Sequence, residues 1–236
     1  MKVIIQNRRA TLFITNIIEF SVDNLPEFIS AFNSMGLLPS VNKGIGIKIT
    51  PNGVEPEDVI SLDLKYLDDS LKVLFGPNRV DIVSTKTSET WEMFLDIVKN
   101  ISQTICKIVE TSYARLALCA SIRYLMENEE AEKVYSKVIK PSDERPVEWQ
   151  FKRVLRIPLE SPEKDTHIVI NKVFNIARNQ AVVNGEDISN LIILDADINT
   201  VQGTNSKDIE KMKDVFWKSS SEIIEQVKES YATLLK

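Results

Sequence analysis

Alternating apolar and polar residues predict two half-buried strands, one in each half of the chain. Both stretches have apolar or aromatic residues at four corresponding positions: Leu12, Ile14, Ile18 and Phe20 in the first, and Leu116, Leu118, Ile122 and Tyr124 in the second. A period of two residues is typical of a strand that turns one face to a core. We therefore predict strands over residues 11–20 and 115–125.

Similar elements are predicted after each of these strands. In the first half we predict a helix over residues 24–35, with Pro26 in its first turn and Gly36 at its end. A turn-rich stretch follows, with a short edge strand over residues 45–49, and then a meander of strands over 62–66, 71–75 and 80–83. Ser88 is the predicted cap of a long helix with one continuous apolar stripe.

In the second half we predict a helix over residues 127–139 and strands over 150–157, 167–177 and 191–201. A last helix is predicted over 208–235, with Asn205 or Ser206 as its cap. Residues 141–146 form the most linker-like stretch, which is too short to separate two domains.

The order of elements predicts an α+β protein, with antiparallel sheet or sheets covered by two long helices. We predict one domain over residues 1–236, or two similar halves over 1–110 and 111–236 produced by internal duplication. The alternative to duplication is that any two half-buried strands alternate in this way. When the two halves are aligned with the same offset, Phe28 corresponds to Glu132, so the matching pattern does not extend into the following helices.

The composition is that of a soluble globular protein of 236 residues, with 43% hydrophobic and 27% charged residues. The net charge of −5 weighs against a nucleic-acid partner, because a duplex binder needs a cationic surface. No apolar run is long enough to cross a membrane, and the first residues lack the order of a signal peptide. The two cysteines have no metal-ligand or redox spacing. We therefore predict a cytoplasmic protein without a cofactor.

Asp195 and Asp197 are the residues best suited to chemistry. Carboxylates two residues apart on a strand point the same way, as a divalent-metal site for phosphoryl chemistry requires. The same alternation also describes a solvated strand, in which Leu194 and Ala196 face the core and both aspartates face water. No third acidic residue is tied to the pair by spacing.

Several basic residues could share one cationic face. Arg115 and Arg123 fall on one side of their strand, which makes an anion or ligand site conceivable, with Tyr124 beside it. The further candidates are Arg8, Arg9, Lys152, Arg153 and Arg156. Ordinary surface ion pairs explain the same residues equally well. His167, the only histidine, starts a strand after a polar turn, where an exposed imidazole is unremarkable.

Two segments together resemble a sporadically distributed family of uncharacterised bacterial proteins of similar length. One contains Arg123 and Tyr124 near a strand end, and the other contains Leu194, Asp195 and Asp197 before the last helix. The resemblance implies a bacterial, cytoplasmic protein, and it implies no activity.

Three functions follow as hypotheses. The first is a non-enzymatic interaction module that forms a homo-oligomer, most simply a dimer, through long amphipathic helices and edge strands. The second is a metal-dependent enzyme that acts on a nucleotide or nucleic acid through Asp195 and Asp197. The third is a sensor of an anion or small ligand that uses Arg115 and Arg123.

Overall fold

A computed structural model describes residues 2–50, 53–139, 146–162, 165–183 and 186–234. In these residues nine strands form a single sheet, in the order β2-β3-β4-β5-β1-β6-β9-β8-β7, and all neighbours are antiparallel. The strands are β1 (Lys2–Ile14), β2 (Leu38–Thr50), β3 (Gly53–Lys65), β4 (Leu71–Gly76), β5 (Arg79–Ser84), β6 (Tyr113–Leu125), β7 (Trp149–Glu160), β8 (His167–Val183) and β9 (Glu186–Thr200). The helices are α1 (Leu25–Asn33), α2 (Trp91–Val109), α3 (Asn128–Val138) and α4 (Ser206–Leu234). The α+β class with an antiparallel sheet is therefore confirmed.

The two halves of the chain meet at the centre of the sheet, where β1 pairs with β6. In each half the first strand leads to a short helix, and a meander then returns so that its last strand pairs with the first. Thus β5 lies beside β1, and β9 lies beside β6. A longer helix then ends each half.

The apolar side chains of the strands turn to one face of the sheet, where the helices lie. Phe94 of α2 and Phe216 of α4 are fully buried in the larger core, together with Leu12 and Leu116 from the central strands. A smaller core beneath α3 joins residues of β6, β8 and β9. Because side chains alternate along a strand, the residues between these apolar positions form a second face. We call this second surface the helix-free face.

The first strand begins earlier and ends earlier than predicted. β1 extends from Lys2 to Ile14, so that Ile18 and Phe20 lie beyond it, whereas Ile122 and Tyr124 lie within β6. The predicted register, which matched Ile18 with Ile122 and Phe20 with Tyr124, is therefore wrong. The Thr15 amide still bonds to the Ser112 carbonyl at 3.0 Å, one residue beyond the last pair of β1 and β6, and the chain leaves the sheet after it.

The turn-rich stretch is a long hairpin. β2 and β3 pair from Leu38–Lys65 to Thr50–Gly53, where the sequence predicted only a short edge strand. On its second side β3 pairs with β4 only from Asp63 to Lys65 and forms one further bridge, between Ile60 and Phe20. Pro56 is tolerated because neither pairing on that side includes it.

The predicted helices are present with small shifts. Thr90, not Ser88, caps α2, since its hydroxyl accepts the Met93 amide at 3.2 Å. Residues 141–145 of the linker-like stretch and the predicted helix end at Leu235 lie outside the described residues. In the described part of the chain, no helix combines the length and the hydropathy that a membrane crossing requires.

Candidate functional site

A groove of about 520 Å³ crosses the helix-free face over β1, β6, β9, β8 and β7. The strand register places one polar residue from each strand in a single row across it: Asn7, Ser121, Asp195, Asn175 and Lys152. Arg9 and Asp197 lie on one side of this row, and Arg123 lies on the other. Side chains that are far apart in the sequence thus form one polar surface.

Neutral donors already satisfy the carboxylates of the groove. Ser121 Oγ donates to Asp195 Oδ1 at 2.6 Å, and Asn175 Nδ2 donates to Asp195 Oδ2 at 3.2 Å. The Asn199 amide donates to Asp197 Oδ1 at 3.0 Å. These bonds orient both aspartates but leave their negative charges without an ion pair among the described residues.

The cations of the groove have few partners. Arg9 reaches the thiol of Cys119, with 3.6 Å between Nη2 and Sγ, and its Nε lies 4.0 Å from Asp81. The Nε atom of Arg123 is buried and has no hydrogen-bond partner among the described residues. No carboxylate of the described part pairs with Arg123 or Lys152. An anionic group that enters the groove would therefore find two free cationic side chains.

Cys119 lies on the floor of the groove as a protonated thiol. Burial raises its pKa to about 12, and the negative charge of Asp197 adds to the rise. A thiol with such a pKa is a poor nucleophile at neutral pH, because the thiolate is the reactive form. Cys119 therefore acts here as a hydrogen-bonding group.

Arg115 lies on the same face as Arg123 but outside the groove. Its guanidinium donates to the Thr200 carbonyl at 2.9 Å and to Asn199 Oδ1 at 2.6 Å, and it lies 5.3 Å from the Phe13 ring centroid. Eight residues of extended strand, roughly 27 Å, separate the two arginines. The structure therefore does not bring Arg115 and Arg123 together in one pocket.

Tyr124 lies on the opposite face from Arg123. Its side chain is buried in the smaller core beneath α3, and this burial raises its pKa. Neighbouring residues of a strand point to opposite sides of a sheet, so the two predicted ligand residues do not share a site.

Asp195 and Asp197 point the same way, while Leu194, Ala196 and Ile198 are buried on the other face. No cluster of three or more histidine, cysteine, aspartate or glutamate side chains suited to a metal ion occurs among the described residues. Metal binding by this pair remains a prediction.

The cationic residues divide between the two faces. Arg9, Arg115, Arg123, Lys152 and Arg156 belong to the helix-free face, as their register with neighbouring strands shows. Arg8 is instead buried on the face that the helices cover. Arg153 follows Lys152 on β7 and therefore points to the face opposite to that of Lys152.

Sequence reasoning did not identify the neutral residues of the groove, chiefly Asn7, Ser121, Gln150 and Asn175. Each is a polar residue at an outward position of an alternating strand, which is the signal that could have found it. The sequence alone does not show which strands are neighbours, and this arrangement brings the residues together.

The chain was compared with known proteins in three ways. No protein-family model matches it, and no curated protein matches it. Among solved structures, it is similar to the rolling circle replication initiator protein from Geobacillus stearothermophilus, with 14% identity and a TM-score of 0.29. That match covers 84% of this chain and 74% of the other. At this score the likeness supports no statement about fold or function, and the resemblance to an uncharacterised bacterial family stays a prediction.

Proposed function

We propose that this protein is a non-enzymatic binding module whose groove on the helix-free face holds anionic groups of its ligand. Arg123 and Lys152 are the residues that supply the positive charge. The observation that carries the proposal is that these two cations have no partner of opposite charge among the described residues.

The hydrogen bonds of the groove support this assignment. The two Nη atoms of Arg123 are not buried and make no hydrogen bond with the described residues, so their donors are available to a ligand oxygen. Guanidinium groups bind carboxylate and phosphate well, because their planar donors match two oxygens at once. The binding role also requires no nucleophile, in agreement with the high pKa of Cys119.

Inorganic phosphate is expected to stabilise the protein against heat. A ligand at ten times its dissociation constant contributes about 1.4 kcal/mol, which corresponds to a rise in Tm of roughly 3–6 °C for a chain of this size. Arg123→Gln and Lys152→Gln should each reduce this rise in a thermal-shift titration. Arg153→Gln is the matched control, because it removes a positive charge from the neighbouring position on the other face of β7.

Equal shifts in the wild type and in the Arg123→Gln variant would contradict the proposed site. The same titration with manganese tests the metal-dependent alternative. A rise that manganese causes and that Asp195→Ala abolishes would favour the enzyme hypothesis over the binding module.

We also infer that the protein self-associates, most simply as a dimer. Two features support this proposal: β2 and β7 are the edge strands of the sheet, and Ile45 and Ile47 on β2 are 80% and 75% exposed. Unpaired edges and exposed β-branched residues favour contact with another chain. Light scattering on the thermal-shift samples measures the mass, and a monomer at all concentrations would reject the inference.

Internal duplication is a further part of the proposal. Its support is the shared order of strand, short helix, returning meander and longer helix in both halves. The extra strand β2 in the first half is the main difference between them.

A further inference from the structure

The charges that cross the groove alternate in sign. Asp195 on β9 and Lys152 on β7 lie in one row across the strands, and Arg123 on β6 lies two residues to one side of that row. Neighbouring strands are about 4.8 Å apart and residues rise about 3.3 Å, so Arg123 and Asp195 are separated by roughly 8 Å and Asp195 and Lys152 by roughly 10 Å between Cα atoms. The groove thus presents a positive, a negative and a positive group in sequence.

These separations exclude a single small anion shared by both cations. Arg123 and Lys152 are roughly 16 Å apart, and side chains on a sheet stand nearly perpendicular to it. One phosphate group spans only a few ångströms, so each cation must contact a different anionic group. The ligand therefore carries at least two negative charges at a distance from one another.

Asp195 excludes a uniformly charged ligand. Its carboxylate lies between the two cations, and the groups that donate hydrogen bonds to it, Ser121 and Asn175, carry no positive charge. A continuous polyanion such as linear polyphosphate would place a negative group beside it. The middle of the ligand must instead be positive, or must donate hydrogen bonds.

We propose that the groove binds an extended peptide segment of a partner protein with an acidic–x–basic–x–acidic pattern. This inference rests on the proposed function of the groove. In an extended peptide, residues i, i+2 and i+4 point the same way, and each is about 6.7 Å from the next along the chain. The two acidic side chains then pair with Arg123 and Lys152, and the basic side chain pairs with Asp195.

Polar residues beside these three charged groups can form hydrogen bonds with the backbone of such a peptide. Asn7 lines the groove, and its Oδ1 atom is buried without a hydrogen-bond partner among the described residues. Its side-chain amide has a donor and an acceptor, the two group types that a peptide backbone matches. Gln150 is exposed at the other end, where its amide nitrogen donates to Asn175 at 2.7 Å. An extended peptide offers both donors and acceptors along its length, as these amides require.

Three blocked pentapeptides test the pattern by titration calorimetry or chemical-shift perturbation. We expect Glu-Gly-Lys-Gly-Glu to bind about three- to fivefold more tightly than Glu-Gly-Gly-Gly-Glu, the range of a partly exposed ion pair. The third peptide, Lys-Gly-Glu-Gly-Lys, in which the positions of the acidic and basic residues are exchanged, should bind most weakly. Asp195→Asn should abolish the preference for lysine at the centre. Asp63→Asn, which changes a carboxylate on the same face of the sheet but on β3 and outside the groove, should preserve it.

The outcomes separate this inference from the function on which it rests. If phosphate stabilises the protein through Arg123 but the lysine-centred peptide has no advantage, the peptide pattern is overturned and the anion site stands. If neither phosphate nor any glutamate peptide binds, both are overturned. Retention of the lysine preference in Asp195→Asn would overturn the role of that carboxylate.

Discussion

Replacing Glu89 with alanine is expected to lower the free energy of unfolding by about 3 kcal/mol. Glu89 and Arg8 are 6% and 5% exposed, and 3.9 Å separates the Arg8 Nη1 and Glu89 Oε2 atoms. Burial lowers the pKa of Arg8, and the charge of Glu89 opposes that change. Removal of the carboxylate therefore leaves a guanidinium in the protein interior, where only the weaker influence of the Glu225 charge opposes the cost of burial.

The expected loss lies at the lower end for a buried ion pair, because other groups still bind Arg8. Its guanidinium donates to the Lys86 carbonyl at 3.0 Å and to the Glu89 carbonyl at 2.6 Å, and it lies 5.2 Å from the Trp91 ring centroid. Glu89 also accepts the Ser84 hydroxyl at 2.7 Å, a bond that alanine cannot make.

Urea denaturation of the Glu89→Ala variant measures this change. Glu89→Gln should cost less, because its amide oxygen can still accept the hydrogen bond from the Ser84 hydroxyl. Asp69→Asn is the surface control: Asp69 pairs with Lys65 at 3.0 Å in an exposed position, and its loss should cost much less than the loss of Glu89. A Glu89→Ala variant as stable as the wild type would show that the buried pair contributes nothing.

Replacing Phe216 with alanine is expected to cost about 3–5 kcal/mol and to lower the Tm by roughly 6–20 °C. Phe216 is fully buried on α4, within the larger core, and its ring packs edge-to-face on Trp217 at 5.0 Å between centroids. Truncation leaves a cavity between the helix and the sheet, because close-packed neighbours relax only in part.

Phe151→Ala is the matched control. Phe151 lies on the edge strand β7 and is 38% exposed, so its truncation removes fewer contacts and opens no enclosed cavity. Thermal unfolding of the two variants should therefore differ by several degrees. Equal losses would mean that α4 contributes no more to the core than an edge position does.

The local patterns were sufficient for much of the second half of the chain. Helix α3 lies within one residue of the predicted bounds at each end, with Glu127 as its cap. Strands β7 and β8 contain the predicted runs, and β9 ends one residue before the predicted end. Alternation also placed Asp195, Asp197 and Arg123 at outward positions. These features depend on residues that are near one another in the sequence.

The local patterns failed where distant residues compensate for an unfavourable one. β1 includes Arg8 in its buried face, because Glu89 and two carbonyl groups from a later segment receive its guanidinium. The β2–β3 hairpin tolerates glycine and proline because it lies at the sheet edge. Neither of these compensating features can be predicted from the sequence of the strand itself.

The sequence by itself determined which residues of each strand face the core, because side-chain direction alternates with a fixed period along any strand. It also determined the class of fold, since the helix and strand periods follow from local residues. Only the tertiary structure decided which strands are neighbours. That order depends on contacts between distant residues, and it brings Asn7, Ser121, Asp195, Asn175 and Lys152 into one row. The groove therefore belongs to the assembled sheet, and no segment of the chain contains it alone.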